Sequence, residues 1–308
     1  MLYSAPLALT VAALVRPQRL VNANRATQKR TRTARSLLGW TALALLLIAP
    51  QVQAKGVHYE VFLLAGQSNI DGRGKIADLT GELAKYATPF PAVNIALSTG
   101  GLRRHLVLSQ GIEPLKPGFT GSTTGLKTIP SDLFGPEIGF AHTLAAAWPG
   151  KRILLIKCTE GGTTLREDWN PAGEKSLYKR FIEFVGTTRS DIEAQGDTLT
   201  IRGLLWHQGE GDAGQVAGKY KKNLGAWINQ VRSDLGQPNL PVLIGQVYNN
   251  GKRDNIFADQ KAVVAELPQT WLVESAGLET FDKGTHFDAK SQIELGRRFA
   301  EEMRKHLQ

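Results

Sequence analysis

The feature that most constrains the fold is a short apolar run that ends in a polar turn. Residues 61–65 read Val-Phe-Leu-Leu-Ala, and residues 66–69 read Gly-Gln-Ser-Asn. Large apolar side chains in succession are typical of a strand that is buried on both faces, as in a parallel sheet. Ser68 therefore follows the carboxyl end of a predicted core strand, where open α/β sheets bind their ligands. A plain turn that closes a strand has a similar composition, so other segments must decide whether Ser68 is a nucleophile.

The chain after residue 136 alternates between predicted helices and predicted strands. The helices are expected over residues 137–148, 176–194, 215–235, 254–267 and 289–307, and the strands over residues 152–157, 199–206, 241–247 and 270–274. This alternation predicts βαβ units and a parallel sheet of about five strands, covered by helices on both faces. Residues 80–135 have weak periodicity and many Gly, Pro, Ser and Thr, so we expect long loops there.

The first 54 residues predict an export signal. They contain seven basic residues and no acidic residue, and the apolar run 37–49 is followed by small residues before Lys55. This pattern matches a secretory signal that is cleaved after Ala54, and the run is shorter than the ~20 residues that a membrane span needs. We therefore expect a secreted or periplasmic protein without stable membrane insertion, in which residues 1–54 form the leader and residues 55–308 form one domain.

The positive net charge belongs to this leader. Removing the seven basic residues of the leader lowers the net charge from +9 to +2. The remaining charges of both signs are mixed along the chain, so no basic stripe predicts a nucleic-acid partner.

Four polar segments with glycines follow predicted strands, and we expect them to meet at one edge of the sheet. They are residues 66–69, 159–164, 207–212 and 277–286. Together they contain a hydroxyl, imidazoles, carboxylates and potential fixed donors, which are the groups that acyl transfer needs. Of the six histidines, His207 and His286 follow strands. His286 is favoured as the base, whereas His207 follows Trp206 and is favoured as a packing residue.

These segments resemble the motif blocks of a known family. Residues 66–69 read Gly-Gln-Ser-Asn, residues 160–163 read Glu-Gly-Gly-Thr, residues 206–210 read Trp-His-Gln-Gly-Glu, and residues 284–288 read Gly-Thr-His-Phe-Asp. In this order they look like the blocks of SGNH hydrolases, and specifically of carbohydrate esterase family six with the related sialate O-acetylesterase-like domains. The resemblance covers residues 57–307. It implies a flavodoxin-like three-layer α/β/α sandwich, no metal, no cofactor, and hydrolysis of acetyl esters on sugars.

The resemblance also assigns roles to residues of this chain. Ser68 matches the nucleophile and His286 the base, while Gly162 and the N–H of Ser68 match donors of the oxyanion hole. The third donor is usually an asparagine in the wider superfamily, and this chain has Gln208, whose amide offers the same chemistry with a longer reach. Three neighbours in these blocks are expected to contact substrate, namely Gln67, Asn69 and His207.

Two carboxylates compete to orient His286. The wider superfamily places the acid three residues before the histidine, but Lys283 occupies that position here, and Asp282 is four residues away. Glu210 lies two residues after Gln208, at the same predicted sheet edge, and is slightly favoured over Asp282.

The expected substrate is an acetylated oligosaccharide or polysaccharide, cleaved through an acyl-enzyme in the manner of an acetylxylan esterase or a sialate O-acetylesterase. Two alternatives stay open: a lipase or thioesterase of SGNH type that acts on other acyl esters, and an inactive sugar-binding module. The polar segments around the expected site favour a glycan over an acyl chain.

Overall fold

The computed structural model describes residues 56–121 and 129–307, so the predicted export signal lies outside the described residues. The strands are β1 (His58–Gly66), β2 (Gly74–Lys75), β3 (Phe90–Thr99), β4 (Val107–Leu108), β5 (Glu113–Leu115), β6 (Leu133–Phe134), β7 (Arg152–Thr159), β8 (Thr198–His207), β9 (Val242–Gly245) and β10 (Thr270–Val273). The α-helices are α1 (Ser68–Asp71), α2 (Glu137–Ala147), α3 (Leu177–Ala194), α4 (Lys219–Asp234), α5 (Asp254–Glu266) and α6 (Ala289–Arg304). Within the described residues, every helix is too short or too polar to cross a bilayer.

One mainly parallel sheet organises these elements. Its strand order is β10-β9-β8-β1-β7-β3-β4, and β5 also pairs with β3. The strands from β10 to β3 are parallel, and the short β4 and β5 are antiparallel to β3. Without β3, β4 and β5, the five predicted strands remain in the order β7-β1-β8-β9-β10. When these five are numbered along the chain, their order is 2-1-3-4-5, which is the flavodoxin-like arrangement. The predicted α/β fold class is therefore confirmed.

Helices cover both faces of the sheet because successive side chains of β1 point to opposite sides. Val61 and Leu63 belong to a core that includes buried residues of α3, α4 and α5. Phe62 and Leu64 belong to a second core that includes buried residues of α2 and α6. All four β1 side chains are fully buried. The continuous apolar run of β1 thus reflects a central strand between two helical layers.

The expectation of loops over residues 80–135 is wrong in one important respect. This region contains β3, a ten-residue strand that is parallel to β7 and packs into the core. Its first half carries Pro91 and Asn94 and is partly exposed, so the apolar pattern that predicts a buried strand is weak there. Helix α4 also begins later than predicted, because residues 210–218 form a 3₁₀ turn and a glycine turn before Lys219.

Candidate active site

Ser68 follows directly from the central strand. β1 ends at Gly66, which has φ of +136°, and Ser68 is the first residue of α1. A Cβ at position 66 would lie only 2.2 Å from the carbonyl oxygen of His207, so only glycine allows this close approach of β1 and β8. The strand order reverses beside β1, and Ser68 lies at the carboxyl end of this strand, where the sequence predicted it.

The structure brings Ser68, His286 and Asp282 together. The Nε2 atom of His286 lies 3.0 Å from Oγ of Ser68, although the two residues are 218 positions apart. The Nδ1 atom of the same ring lies 2.6 Å from Oδ2 of Asp282. The other carboxylate oxygen, Oδ1, accepts hydrogen bonds from the N–H groups of Thr285 (3.0 Å) and His286 (2.8 Å). Such a chain of groups can remove the proton from a serine hydroxyl.

A tight turn explains how Asp282 reaches His286 across four positions. Thr280 and Phe287 form an antiparallel bridge, and the N–H of Phe281 donates to the carbonyl oxygen of His286. At the tip of this turn Lys283 has φ of +60° and Gly284 has φ of +121°. The chain therefore reverses within this turn, which places the carboxylate under the imidazole.

The Asp282 carboxylate remains ionised in this setting. Partial burial by itself raises the pKa of Asp282, but the hydrogen bonds from the His286 and Thr285 N–H groups and from the His286 ring outweigh it and lower the pKa. A negative charge at this place holds a proton on Nδ1 and leaves Nε2 free to accept one from Ser68.

The preference for Glu210 as the partner of His286 is wrong. Its Oε1 accepts a hydrogen bond of 2.6 Å from Nδ2 of Asn69, and it lies 3.8 Å from Nδ1 of His207. Gly209, with φ of +148°, opens the 3₁₀ turn that carries Glu210. The amide of Asn69 therefore lies between the Glu210 carboxylate and the His286 segment.

Asn69 holds the chain on both sides of His286. Its Nδ2 donates to the carbonyl oxygen of Thr285 (2.9 Å), and its Oδ1 accepts from the N–H of Phe287 (3.1 Å). The side chain of Asn69 is fully buried. It is therefore a structural link between the Ser68 turn and the His286 loop, and its contact with substrate stays a prediction.

The other two expected substrate contacts are also buried inside the protein. The Oε1 atom of Gln67 accepts hydrogen bonds from Nε2 of Gln208 (3.0 Å) and from the N–H of Gly211 (3.2 Å). His207 is fully buried, and its ring packs edge-on against Phe287. Burial lowers the pKa of His207, so the ring is neutral and belongs to the core. Both side chains therefore have partners or packing inside the protein, and their contact with substrate stays a prediction.

Two backbone N–H groups are free to bind an oxyanion. The N–H groups of Ser68 and Gly162 donate to no backbone acceptor among residues 56–121 and 129–307. Gly162 is exposed, has φ of +78°, and is held through its carbonyl oxygen by Nη1 of Arg103 at 3.0 Å. These two positions fit the roles that the sequence predicted for them.

Gln208 does not fit its predicted role as the third donor. Its Nε2 faces three acceptors within the protein: Oε1 of Gln67 (3.0 Å), the carbonyl oxygen of Thr163 (3.1 Å) and Oδ2 of Asp212 (2.6 Å). An amide nitrogen has only two hydrogens, so both are already used. Gln208 ties three segments together at the sheet edge and has no N–H left for a reacting group.

Sequence reasoning missed three buried charged residues around the site. Asp71 accepts hydrogen bonds from the hydroxyls of Thr99 (2.9 Å) and Thr159 (2.7 Å) and pairs with Arg73 (2.7 Å). Glu160 is fully buried and accepts from the N–H groups of the neighbouring loop. The donors to Glu160 are the backbone groups of Leu102 (2.9 Å), Arg103 (2.5 Å) and Arg104 (2.8 Å). The available signal was that Asp71 and Arg73 lie within five residues of Ser68, and that Glu160 lies in the polar segment after a predicted strand.

The described residues were also searched for a possible metal centre. Over the parts of the chain that the structure describes, no group of three or more His, Cys, Asp or Glu side chains is placed to hold a metal ion.

Comparisons with known proteins identify the family of this chain. Residues 58–305 match the family profile described as carbohydrate esterase, sialic acid-specific acetylesterase. An Arabidopsis thaliana protein described as a probable carbohydrate esterase is 26% identical over 257 residues, which cover 80% of this chain and 91% of that protein.

Solved structures show the same fold. The crystal structure of an Arabidopsis thaliana protein aligns with a TM-score of 0.63 and 22% identity, over 81% of this chain and 99% of that one. A carbohydrate acetylesterase of Xanthomonas citri aligns with a TM-score of 0.56 and 20% identity, over 80% of this chain but only 56% of that one. NanS aligns with a TM-score of 0.57 and 15% identity, over 82% of this chain and 98% of that one. Because the family profile spans nearly all of the described residues, the chain belongs to the carbohydrate esterase family of sialic acid-specific acetylesterases.

Proposed function

We propose that the protein is a serine esterase that removes O-acetyl groups from carbohydrate through an acyl-enzyme. The observation that carries this proposal is the connected chain from Oγ of Ser68 to Nε2 of His286 (3.0 Å) and from Nδ1 of His286 to Oδ2 of Asp282 (2.6 Å). The N–H groups of Ser68 and Gly162 have no backbone acceptor in the described residues and could donate to the negative charge that develops during acyl transfer.

In the first half of the reaction, Oγ of Ser68 bonds to the acetyl carbonyl carbon. The Ser68 proton moves to Nε2 of His286, and the carbonyl π electrons move onto the oxygen, which accepts from the two N–H groups. When this intermediate collapses, the bond to the sugar oxygen breaks, and that oxygen takes the proton from Nε2. The products are a free sugar hydroxyl and acetyl-Ser68.

In the second half, water replaces the sugar. His286 takes a proton from water while the water oxygen bonds to the acetyl carbon, and collapse breaks the bond to Oγ of Ser68. The proton on Nε2 returns to Oγ, and acetate leaves. Asp282 keeps its charge throughout and stabilises the imidazolium.

One surface feature supports a sugar over a long acyl chain. The ring of Phe281 is 51% exposed and lies nearly parallel to the His286 ring, with centroids 6.0 Å apart and an interplanar angle of 20°. A single exposed aromatic ring beside the base suits the apolar face of a pyranose, whereas an acyl chain needs an enclosed apolar groove. We infer an acetylated oligosaccharide or polysaccharide as the substrate class.

A series of 4-nitrophenyl esters tests the reaction class. Purified protein should hydrolyse the acetate ester best, and Ser68→Ala should show no turnover above background. An optimum at eight or more carbons would favour a lipase, and no turnover with any ester would favour an inactive binding module. Acetate release from acetylated xylan and from O-acetylated sialic acid then separates the two sugar classes.

We also propose that the protein acts outside the cytoplasm, because residues 1–54 carry the pattern of an export signal. Fractionation of producing cells and N-terminal sequencing of the exported form test this proposal. A mature chain that begins at Lys55 is expected.

A further inference from the structure

Arg73 carries a donor that has no acceptor. Its side chain is buried, with Nη1 bonded to Oδ2 of Asp71 (2.7 Å) and to the carbonyl oxygen of Gly72. Its Nη2 is shielded from solvent and makes no hydrogen bond within the described part of the chain. Buried N–H groups of a charged side chain are rarely left unpaired, because losing water without a replacement costs free energy. An acceptor that is present only during the reaction would account for this.

The unpaired Nη2 lies beside the nucleophile. A Cβ placed on Gly161 would lie 2.4 Å from Nη2 of Arg73 and 3.4 Å from Cβ of Ser68. The guanidinium therefore packs under Gly161, in space that a larger residue would occupy. Gly161 directly precedes Gly162, whose free N–H is one of the two backbone donors. The unpaired N–H, Ser68 and the two backbone donors thus lie around one small region.

The expected third donor is missing from this region, since both hydrogens of the Gln208 amide are used within the protein. We propose that Arg73 replaces it, so that Nη2 donates to the carbonyl oxygen of the substrate as that oxygen becomes negative. This inference rests on the proposed esterase function and adds a catalytic residue to it.

The surroundings of Arg73 suit this role. Asp71 fixes the guanidinium, and Asp71 is itself fixed by hydroxyls on β3 and β7. Burial raises the pKa of Asp71, but the charges of Arg73 and Lys157 outweigh burial and lower it, so the carboxylate stays ionised and continues to hold Arg73. A donor held in place and screened from water stabilises developing charge without reorganisation.

The experiment measures how two substitutions change the affinity for two inhibitors. Arg73→Met removes the donor, and Gly161→Ala displaces it by inserting a methyl group 2.4 Å from the position of Nη2. A small trifluoromethyl ketone probes the oxyanion, since Ser68 adds to its carbonyl carbon and leaves a negative oxygen. The matching trifluoromethyl alcohol fills the same space but forms no such charge. Arg104→Met is the matched control, because Arg104 is an exposed arginine on a neighbouring loop.

We expect Arg73→Met to lower kcat/KM for 4-nitrophenyl acetate by about 10²-fold to 10³-fold. Affinity for the ketone should fall by a similar factor, and affinity for the alcohol should not change. Gly161→Ala should weaken the ketone selectively and add little in the Arg73→Met background, because both changes remove the same hydrogen bond. Arg104→Met should behave as wild type.

The proposal is overturned if folded Arg73→Met loses less than about 5-fold in kcat/KM, or if both inhibitors weaken equally. Melting curves identify a variant that fails to fold, and in that case Gly161→Ala decides alone: unchanged ketone affinity would overturn the proposal. Wild-type protein without esterase activity would instead refute the proposed function. Active wild type with Arg73→Met equal to Arg104→Met would refute this inference only.

Discussion

The Asp282→Asn substitution tests the geometry of the site most directly. The Oδ1 atom of Asp282 accepts from two backbone N–H groups, and only the other oxygen faces the imidazole. An asparagine at this position keeps its carbonyl oxygen on those two N–H groups, which turns its NH₂ group towards Nδ1 of His286. Nδ1 must then accept, so the ring proton moves to Nε2 and faces Ser68. Nε2 can no longer take the serine proton.

The expected loss follows from this reversed tautomer. In serine hydrolases, an amide in place of the orienting acid lowers kcat by about 10⁴-fold, or about 5 kcal/mol of barrier. Asp282 is 30% exposed, so the folded state should change little and the melting temperature should stay within a few degrees of wild type. Initial rates with 4-nitrophenyl acetate, measured beside thermal melts, separate the catalytic effect from a folding defect.

Glu210→Gln is the matched control, since it is also a neutral isostere of a carboxylate at the same sheet edge. Its amide oxygen can still accept from Nδ2 of Asn69, so we expect less than a 10-fold loss in kcat. Folded Asp282→Asn with more than a tenth of wild-type activity would refute the assignment of Asp282. If Glu210→Gln loses most of its activity while Asp282→Asn stays close to wild type, Glu210 would be favoured as the partner of His286, as the sequence predicted.

Four further predictions test other parts of the molecule. Ser68→Ala should abolish turnover and leave the melting temperature nearly unchanged, and residual turnover above a tenth of wild type would exclude Ser68 as the nucleophile. Asn69→Ala removes the three hydrogen bonds of this buried side chain, so the free energy of unfolding should fall by about 2–4 kcal/mol. The melting temperature and kcat should both be lower than in wild type. Phe281→Ala should raise KM for acetylated oligosaccharide and spare 4-nitrophenyl acetate, and equal effects on both would contradict a sugar platform. The hydrogen bond from Arg297 lowers the pKa of Glu294 from 4.5 to about 2. The ionised Glu294 should therefore stabilise the fold by at most about 1 kcal/mol, and this stabilisation should be lost as the pH falls through that range. In Glu294→Gln the melting temperature should depend less on pH over the same range.

The parts of the fold that were predictable share a strong local signal. Side chains of β1 are buried on both faces, and the resulting apolar run can be read without knowing its neighbours. The parallel sheet then brings the ends of distant strands to one edge, which is why Ser68, Gly162 and His286 were expected near each other. β3 was missed because its contacts with β7 bury only its second half, and the exposed first half dilutes the pattern.

The direction of side chains in irregular loops could not be predicted. The choice between Asp282 and Glu210 depended on the left-handed residues Lys283 and Gly284, which reverse the chain and aim Asp282 at His286. Sequence separation alone does not encode that reversal. The predicted role of Gln208 as a donor could not be judged from the sequence for a similar reason. Its amide hydrogens bond partners on other segments, and only the folded structure shows how many hydrogens remain.

Asn69, the residue after Ser68, links the two segments that form the candidate site. Ser68 and His286 come from segments 218 positions apart, and their 3.0 Å contact must be maintained while the histidine loop stays at the surface. Asn69 bonds the carbonyl oxygen of Thr285 and the N–H of Phe287, so it fixes both peptide groups that flank the base. An aspartate could not donate to Thr285, and a leucine could do neither. The Glu210 carboxylate accepts from the same Nδ2 and so determines which end of the amide faces Thr285. Asn69 therefore positions the His286 ring relative to Ser68, and the contact with Glu210 helps to keep the Asn69 amide in one orientation.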